Sequence, residues 1–284
     1  MENTRLSKER IGLLEERAQF VRLETLRLIS IAKVGHYSSV FSCAEIFAAL
    51  YYDVMNIRRG EPGWEGRDRF LMGKGHAAVG LFPILADLGF FDRSWLDDYT
   101  RLGSPLGDHP DMRKVPGVDF SSGSIGHALS NGVGMVHGAR MRGLRFDVFV
   151  MLGDGEMQEG QVWEAALNAS SHGLSNLIAI IDRNGYQLDG KVDDVIAVEP
   201  LDEKWRAFGW EVHEVDGHDV VALTELLRRV KADKTRGKPC CVIARTLKGK
   251  GIDFMENEPG WHLGYLSPED TQRARQAILA QGGQ

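Results

Sequence analysis

Residues 146–160 read FDVFVMLGDGEMQEG, an apolar segment that runs directly into a glycine-rich turn. The short apolar run from Phe146 to Leu152 suits a strand buried on both faces of a parallel sheet. The residues from Gln161 to His172, closed by Gly173, have the pattern of a helix. We therefore expect a strand, a tight turn and a helix in succession, which is the building unit of α/β proteins.

The same alternation continues toward the C-terminus. Leu177–Ile181 is a second predicted strand, and Trp210–Val215 and Pro239–Thr246 are a third and a fourth. Asp219–Ala232 is the predicted helix between the last two. This order indicates an α/β fold with a doubly wound, mostly parallel sheet and helices on both faces, in which ligands bind at the carboxyl ends of the strands. There is no internal repeat or linker, so residues 1–284 are predicted to form one domain.

The N-terminal part of the chain is predicted to be helical. Apolar residues recur every three or four positions between Lys8 and Lys33, which predicts one amphipathic helix. Ser42 followed by Glu45 matches a capping box and predicts the start of a second helix. Residues 35–39, GHYSS, are predicted to be the loop between these helices. Residues 101–126, rich in proline and glycine, are predicted to form a long ordered connection, a kind of segment that often has a function.

Composition excludes several classes of protein. The chain has 284 residues, 43% of them hydrophobic, and a formal charge of −6. Because it has no long run of Lys or Arg, we expect no nucleic acid or anionic membrane partner and favour a small-molecule ligand. Two of its three cysteines, Cys240 and Cys241, are adjacent in an apolar run, where a structural disulfide is not expected. The polar start from Met1 to Arg10, and the lack of an apolar stretch of about 18 residues, predict a cytoplasmic protein.

Two turns carry the candidate ligands of a metal. Asp154 follows the first predicted strand and Asn184 follows the second, so both lie at the carboxyl edge of the sheet. Glycines let a ligand approach the backbone, and N–H groups at a helix start favour phosphate oxygens. The Asp154 carboxylate, the Asn184 amide oxygen and a backbone carbonyl near Tyr186 would complete a Mg²⁺ site with a diphosphate. The alternative is two ordinary turns, with Asp154 as a helix N-cap. The pair at this spacing favours the metal site.

These residues resemble the signature of the thiamine-diphosphate enzymes, which is Gly-Asp-Gly followed by Asn at this distance. More narrowly, the sequence is similar to the N-terminal half of transketolase, from about Arg10 to Gly264. The motifs that carry the resemblance occur in order: GH at 35–36, DRF at 68–70, GHA at 75–77, GDHP at 107–110, PGV at 116–118, SGSIG at 122–126 and QEG at 158–160. The resemblance implies the thiamine-diphosphate-binding fold, with thiamine diphosphate and Mg²⁺ or Ca²⁺ as cofactors.

The resemblance also implies roles for individual residues. His36 and His109 match histidines that hydrogen-bond the donor sugar near its carbonyl. His76 and His262 match histidines that contact the diphosphate or flank the reacting centre. Imidazoles suit these tasks because they donate, accept or relay protons near neutral pH. The catalytic set implied is His36, His109 and His262, and the metal set is Asp154, Asn184 and Tyr186. The cofactor-binding set is His76, Gly123, Ile125, Gly153, Asp154, Gly155, Asn184, Leu188 and His262.

Other matches leave two interpretations open. Glu159 and Glu164 match acidic residues that line the family's dimer interface, although a solvated helix face would have the same pattern. Lys248 and Lys250 could steady anionic groups near the diphosphate, but lysines in a glycine-rich loop are usually solvated.

Two departures from the family pattern concern substrate preference. The family commonly has Gly-Gln-Gly where this chain has Gly126-His127-Ala128. It commonly has Gly after the late histidine, where this chain has Leu263. Both positions lie near the implied substrate funnel. We therefore expect cofactor binding to be intact, whereas the family's usual preference for sugar phosphates is not implied for this chain.

The family's second domain has no match in this chain. In a whole transketolase that domain stacks on the aminopyrimidine and supplies the glutamate that activates the cofactor. The sequence ends at Gln284 without it, so the resemblance implies the N-terminal subunit of a two-chain transketolase. The pyrimidine-binding and C-terminal domains are expected on a partner chain, with two copies of each chain in a heterotetramer.

The implied reaction moves a two-carbon ketol unit from a ketose, phosphorylated or otherwise anionic, to an aldose. One rival is the alpha subunit of a 2-oxo acid dehydrogenase, which shares the Gly-Asp-Gly to Asn signature. The motifs around His36, His76 and His109 weigh against it. Two further rivals are a fragment of a deoxyxylulose-phosphate synthase and a non-catalytic module that binds thiamine diphosphate.

Overall fold

The computed structural model describes residues 5–188, 190–233 and 235–281. The first four residues of the predicted polar start, and the last three of the predicted domain, lie outside this part of the chain. The described helices are α1 Lys8–Ala32, α2 Tyr37–Phe41, α3 Ala44–Ala49, α4 Ala78–Asp87, α5 Ala128–Arg142, α6 Gly160–Ser171, α7 Val192–Val195, α8 Leu201–Ala207, α9 Val220–Ala232 and α10 Pro268–Gln281. The described strands are β1 Arg69–Met72, β2 Val148–Gly153, β3 Leu177–Arg183, β4 Tyr186–Gln187, β5 Gly190–Lys191, β6 Glu211–Asp216 and β7 Cys240–Arg245.

Five of these strands form one parallel sheet in the order β1-β2-β3-β7-β6. The four strands predicted from apolar runs are all present, with shifts of one or two residues at their ends. The predicted α/β fold is therefore confirmed. The prediction missed β1, whose four residues follow the charged pair Arg67 and Asp68.

Side chains alternate between two apolar layers, as the geometry of strands requires. On β7, Cys240 and Val242 belong to the layer covered by α1, α3, α4 and α9. Cys241 and Ile243 belong to the opposite layer, which α5, α6 and α8 cover. Because both faces of the sheet are covered, its strands are apolar on both sides and its carboxyl edge is the open side where loops meet.

The predicted capping box is wrong. Helix α3 has Cys43 at its N-cap and no side-chain cap. The Ser42 hydroxyl donates instead to Asp182, 2.6 Å away, and Glu45 pairs with Arg22 at 2.7 Å. Both side chains are used for long-range contacts, which local spacing does not reveal. The predicted loop at 35–39 is also partly wrong, because α2 begins at Tyr37.

Helix α1 follows its prediction closely. Leu14, Ala18, Val21, Thr25 and Leu28 are all buried along one face. Among the described residues, no helix is both long and apolar enough to cross a membrane.

Candidate functional site

A cavity of about 390 Å³ opens at the carboxyl edge of the sheet. Four strands deliver residues to it, because their loops leave the sheet side by side: Lys74 follows β1, Asp154 follows β2, Asn184 follows β3 and Lys248 follows β7. The volume is in the range usual for small-molecule sites, and the carboxyl edge is where α/β sheets bind ligands.

Most of the predicted site residues line this cavity: His76, Ile125, Gly153, Asp154, Gly155, Asn184, Tyr186, Leu188 and His262. Three predicted residues lie beside it. The His36 ring centroid is 5.0 Å from that of His76 and 5.4 Å from that of His262. Gly123 is against His109, since a Cβ added there would lie 3.4 Å from the imidazole Cδ2. The structure therefore brings all the predicted residues to one region.

Asp154 is held by its neighbours on both oxygens. Oδ1 accepts the Gly155 N–H at 2.8 Å, and Oδ2 accepts the Gly185 N–H at 2.6 Å and Arg183 Nη1 at 3.0 Å. Burial nevertheless raises the pKa of Asp154 above its usual value. A buried carboxylate of this kind gains from a further positive charge. Asp154 is also the N-cap of the 3₁₀ turn Gly155–Gln158, so the N-cap alternative holds for that turn, although not for α6, whose N-cap is Glu159. The cap uses Oδ1 alone and does not account for the contacts of Oδ2.

Asn184 is oriented by the fully buried Asp182. The Asn184 amide nitrogen donates to Asp182 Oδ2 at 3.1 Å, and its Oδ1 accepts the Tyr186 N–H at 3.1 Å. These partners assign which end of the amide is oxygen. The oxygen is therefore kept on the side of the Tyr186 backbone, where the predicted metal set lies.

Two buried lysines line the cavity. Lys74 Nζ contacts Asp182 and donates to the Ser39 carbonyl at 2.9 Å. Lys248 is only 1% exposed, so of its two interpretations the solvated one is wrong. Its Nζ lies 2.9 Å from His262 Nδ1, which places the His262 proton on Nε2. Burial, together with the charge of Lys74, lowers the pKa of Lys248 to about 8. Lys250 is only partly buried.

The two histidines of the cavity are neutral near pH 7. Burial lowers the pKa of His76 well below its usual range, and the charge of Lys74 adds to this effect. Burial and the neighbouring Lys248 lower the pKa of His262 to about 3. Each ring thus offers one N–H donor and one acceptor nitrogen, and the positive charge of the site comes from its lysines.

His36 and His109 share one carboxylate. Asp108 Oδ1 lies 3.6 Å from His36 Nδ1, and Asp108 Oδ2 lies 3.6 Å from His109 Nδ1. His36 Nδ1 is buried and has no hydrogen-bond partner among the described residues. An unpartnered buried nitrogen is costly unless a ligand or a small movement satisfies it.

Several residues of the site carry no local sequence signal. Asp182, Arg183 and Lys74 are defined by contacts between separate loops. Glu156 accepts the Gly126 and Gly153 N–H groups at 2.7 and 3.1 Å, and burial raises its pKa to about 7. It thereby ties the 122–126 loop to the turn after β2.

His218 fixes the Lys248 loop from behind. Its Nδ1 lies 3.0 Å from Glu45 Oε2, and its Nε2 accepts the Leu247 N–H at 2.8 Å. Arg22 pairs with the same Glu45. His218 matches no motif, and only the folded chain shows its part in the site.

Other residues that the resemblance singles out are exposed, and of these Glu159 lines the cavity. Glu159, Glu164 and His127 are exposed, as is Leu263. Exposure fits both interpretations of the two glutamates, an interface or a solvated helix face. Ile125 and Leu188 are exposed apolar residues at the cavity, the latter 62% exposed.

The arrangement has a definite chemical preference. Two buried ammonium groups favour an anion, and Asp154 with the Asn184 oxygen favours a hard divalent cation. Together they suit a polyanionic ligand that carries a bridging metal ion.

Comparison with known proteins shows which family the chain matches. A family model described as transketolase, thiamine diphosphate binding domain, matches residues 14–281. The 6-deoxy-6-sulfo-D-fructose transketolase subunit of Clostridium sp. (strain MSTE9) is 39% identical over 98% of this chain and 100% of its own length. An apulose-4-phosphate transketolase subunit from Phocaeicola vulgatus is 37% identical over 93% of each chain.

Solved structures show the same fold. The transketolase of Campylobacter jejuni superposes with a TM-score of 0.85 at 26% identity, over 98% of this chain and 43% of its own. The transketolase of Leishmania mexicana gives 0.85 at 28% identity, over 95% of this chain and 41% of its own. This chain thus spans less than half the length of those transketolase chains.

Lys248 should make anion binding depend on pH. The free ammonium loses its proton near pH 8, whereas a bound anion favours the charged form, so binding takes up a proton at higher pH. The measurement is pyrophosphate affinity by calorimetry, with Mg²⁺ present, at pH 7 and pH 9. Between these values the affinity of the wild type should fall about tenfold more than the affinity of Lys248→Met. Lys250→Met is the matched control, and its pyrophosphate affinity should fall with pH as in the wild type. Equal pH profiles for the wild type and Lys248→Met would contradict this assignment.

Proposed function

The chain belongs to the transketolase family, and we propose that it is the thiamine-diphosphate-binding subunit of a two-chain transketolase. The observation that supports this most directly is the cavity at the carboxyl edge, with its buried lysines beside Asp154 and Asn184. The match to subunits over their whole length supports the division into two chains. In this proposal residues 1–284 form one cofactor-binding domain, and the pyrimidine-binding and C-terminal domains lie on the partner.

The proposed reaction transfers a two-carbon ketol unit from a ketose to an aldose. The two similar subunits are named for a sulfonated sugar and a sugar phosphate, which supports an anionic substrate. These relatives are named as transketolase subunits, and this favours ketol transfer over 2-oxo acid oxidation, deoxyxylulose-phosphate synthesis or cofactor binding without catalysis.

The cavity fits the cofactor. When bound, thiamine diphosphate supplies the electron sink needed to break and form a carbon–carbon bond. Lys74 and Lys248 offset the charge of its diphosphate, and Gly153 and Gly155 let that group approach the backbone. The exposed apolar side chains of Ile125 and Leu188 provide contact surface for its rings.

A Mg²⁺ or Ca²⁺ ion fits the oxygen ligands. Asp154 supplies a buried carboxylate, and Asn184 supplies Oδ1 because its nitrogen is bonded to Asp182. The Tyr186 carbonyl completes the proposed metal set. Hard cations of this type take carboxylate, amide and carbonyl oxygens together with substrate phosphate.

The histidines divide between two tasks. We place His76 at the cofactor, since it lines the cavity and stays neutral. His36 and His109, whose Nδ1 atoms each lie 3.6 Å from Asp108, form the pair that faces the sugar. His262 contacts the cofactor and also acts in catalysis, as its Nε2–H is fixed by Lys248. Neutral imidazoles can hold or move a proton without first losing a charge.

The partner and its location complete the proposal. The exposed Glu159 and Glu164 are placed at the interface of a heterotetramer with two copies of each chain. We place the enzyme in the cytoplasm, because its three cysteines are free and buried, as in proteins of reducing compartments.

Reconstitution tests the function. The purified chain alone should show no ketol transfer with thiamine diphosphate and Mg²⁺, because the partner's glutamate and aromatic platform are needed to activate the cofactor. Adding the chain that carries the pyrimidine-binding domain should restore turnover with anionic ketose and aldose pairs. Robust turnover by this chain alone would refute the two-chain proposal, and cofactor binding without turnover in the complex would favour a non-catalytic module.

The metal assignment predicts a specific loss. Asp154→Ala should weaken thiamine diphosphate binding by more than about 100-fold, since outer-shell changes alone cost about 10–100-fold in metal affinity. The remaining affinity should no longer respond to Mg²⁺ in a calorimetric titration. Asp193→Ala is the matched control, because Asp193 pairs with the same Arg183 at 2.9 Å but is half exposed. A Mg²⁺ response that persists in Asp154→Ala would show that the metal lies elsewhere.

His76 and His109 should differ in kind. In the two-chain complex, His109→Ala should keep cofactor affinity and lower kcat/KM by about 10²–10⁴-fold, as expected for a group that handles protons. His76→Ala should instead weaken cofactor binding, because a donor to the diphosphate is lost. Cofactor titration and steady-state kinetics of both variants check this division. It is wrong if His109→Ala loses the cofactor or His76→Ala binds it normally.

A further inference from the structure

Three side chains of metal-binding type meet at the edge of the sheet opposite the cavity. Glu211 and Cys240 are the first residues of β6 and β7, and they are direct neighbours in the parallel register. His213 lies two residues along β6, so it faces the same side of the sheet. We propose that Glu211, His213 and Cys240 form a zinc-binding site, separate from the cofactor cavity.

The three side chains are close enough to converge on one ion. His213 Nε2 is hydrogen-bonded to Glu211 Oε1 at 2.6 Å, and the ligand atoms of all three residues lie within 4.8 Å of one another. Zinc bonds of about 2.0–2.3 Å place ligand atoms about 3.3–3.8 Å apart. Zinc would therefore replace the hydrogen bond between His213 and Glu211, whose two atoms must move apart by about 1 Å. All three ligand atoms lie within 4.8 Å of one another, so side-chain rotations can bring them to one ion. Three protein ligands leave a fourth position for water.

The ligand set selects the metal. A thiolate, an imidazole and a carboxylate together suit Zn²⁺, whereas Mg²⁺ and Ca²⁺ prefer oxygen ligands alone. The charges also balance: the two anionic ligands and Zn²⁺ sum to zero, and His213 remains neutral. A neutral group of charges is the form that a partly buried site tolerates best.

Zinc binding would change the protonation state of the buried Cys240 thiol. Burial raises the pKa of Cys240 to about 12, so the free protein holds the thiol. When zinc binds, the S–H proton leaves for solvent and sulfur bonds to the metal. Arg229, Arg236 and Lys238 are positive charges near this sulfur, and they favour the thiolate. They also repel a bare dication, so the site requires both anionic ligands.

The site is accessible and has a structural consequence. Glu211 and His213 have side chains that are about a quarter exposed, while Cys240 is fully buried. In the described part of the chain, strand β6 is the last strand of the sheet and pairs with β7 alone. Zinc would therefore cross-link the edge strand to its neighbour and stabilise the sheet.

The test uses the full chain with excess Mg²⁺, so that oxygen sites are filled. Zn²⁺ alone should bind at one equivalent and raise Tm, and Co²⁺ should give a thiolate charge-transfer band in the near ultraviolet that Zn²⁺ abolishes. Cys240→Ser should remove the band. Glu211→Gln and His213→Gln should each weaken Zn²⁺ binding by more than about 100-fold, beyond the loss typical of outer-shell changes. Cys241→Ser is the matched control, since Cys241 faces the opposite layer, and should keep the band.

Three results would overturn the proposal: no thiolate band in the wild type, a band that persists in Cys240→Ser, or loss of the band in a folded Cys241→Ser. If Cys240→Ser does not fold, the Zn²⁺ affinity of Glu211→Gln and His213→Gln is the test. These two side chains are partly exposed, so their replacement should leave the chain folded. Unchanged Zn²⁺ affinity in both would also overturn it.

Discussion

The carboxylate of Asp182 is the contact on which the site depends. It is fully buried at the end of β3 and accepts hydrogen bonds from three other segments, through Lys74, Ser42 and Thr246, and from Asn184 in its own loop. Burial alone would raise the pKa of Asp182, but the Lys74 ammonium and these hydrogen bonds hold it below its usual value. Breaking a buried pair of this kind typically costs about 3–5 kcal/mol. The four loops are therefore positioned before any ligand arrives.

A second group of contacts continues this preorganisation behind the cavity. Glu156 joins the 122–126 loop to the turn after β2, and His218 joins Glu45 to the Leu247 backbone. These partners lie far apart in sequence and are brought together by the order of the parallel strands. Binding residues whose positions are set in advance lose less entropy when a ligand is bound.

A feature could be predicted from the sequence when it depends on neighbouring residues, and could not when it depends on residues far away along the chain. The buried strands were predictable because a strand covered on both faces must be apolar throughout, as Leu177–Ile181 is. Strand β1 was missed because it has only four residues beside a charged pair. The capping box at Ser42 was misread because Asp182, far along the chain, takes its hydroxyl.

The same distinction holds within the site. The positions of Asp154 and Asn184 were predictable, because each directly follows a strand. Parallel strands end at the same edge of the sheet, so residues that follow them lie near one another. The buried state of Lys248 was not, because a glycine-rich loop is usually exposed and only tertiary packing covers this one. Asp182 and Arg183 gave no signal for the same reason: their roles are defined by partners on other loops.

The electrostatics of the cavity predict that an anionic ligand stabilises the folded chain. Among the described residues, Lys248 contacts the His262 imidazole and no carboxylate touches its ammonium. A buried cation without a counter-charge is costly, and the lowered pKa of Lys248 expresses that cost. Lys74 differs, because Asp182 neutralises it. An anionic ligand would supply to Lys248 what Asp182 supplies to Lys74. Since a ligand that binds only the folded chain also stabilises it, cofactor binding and the stability of this edge of the sheet are coupled through one lysine.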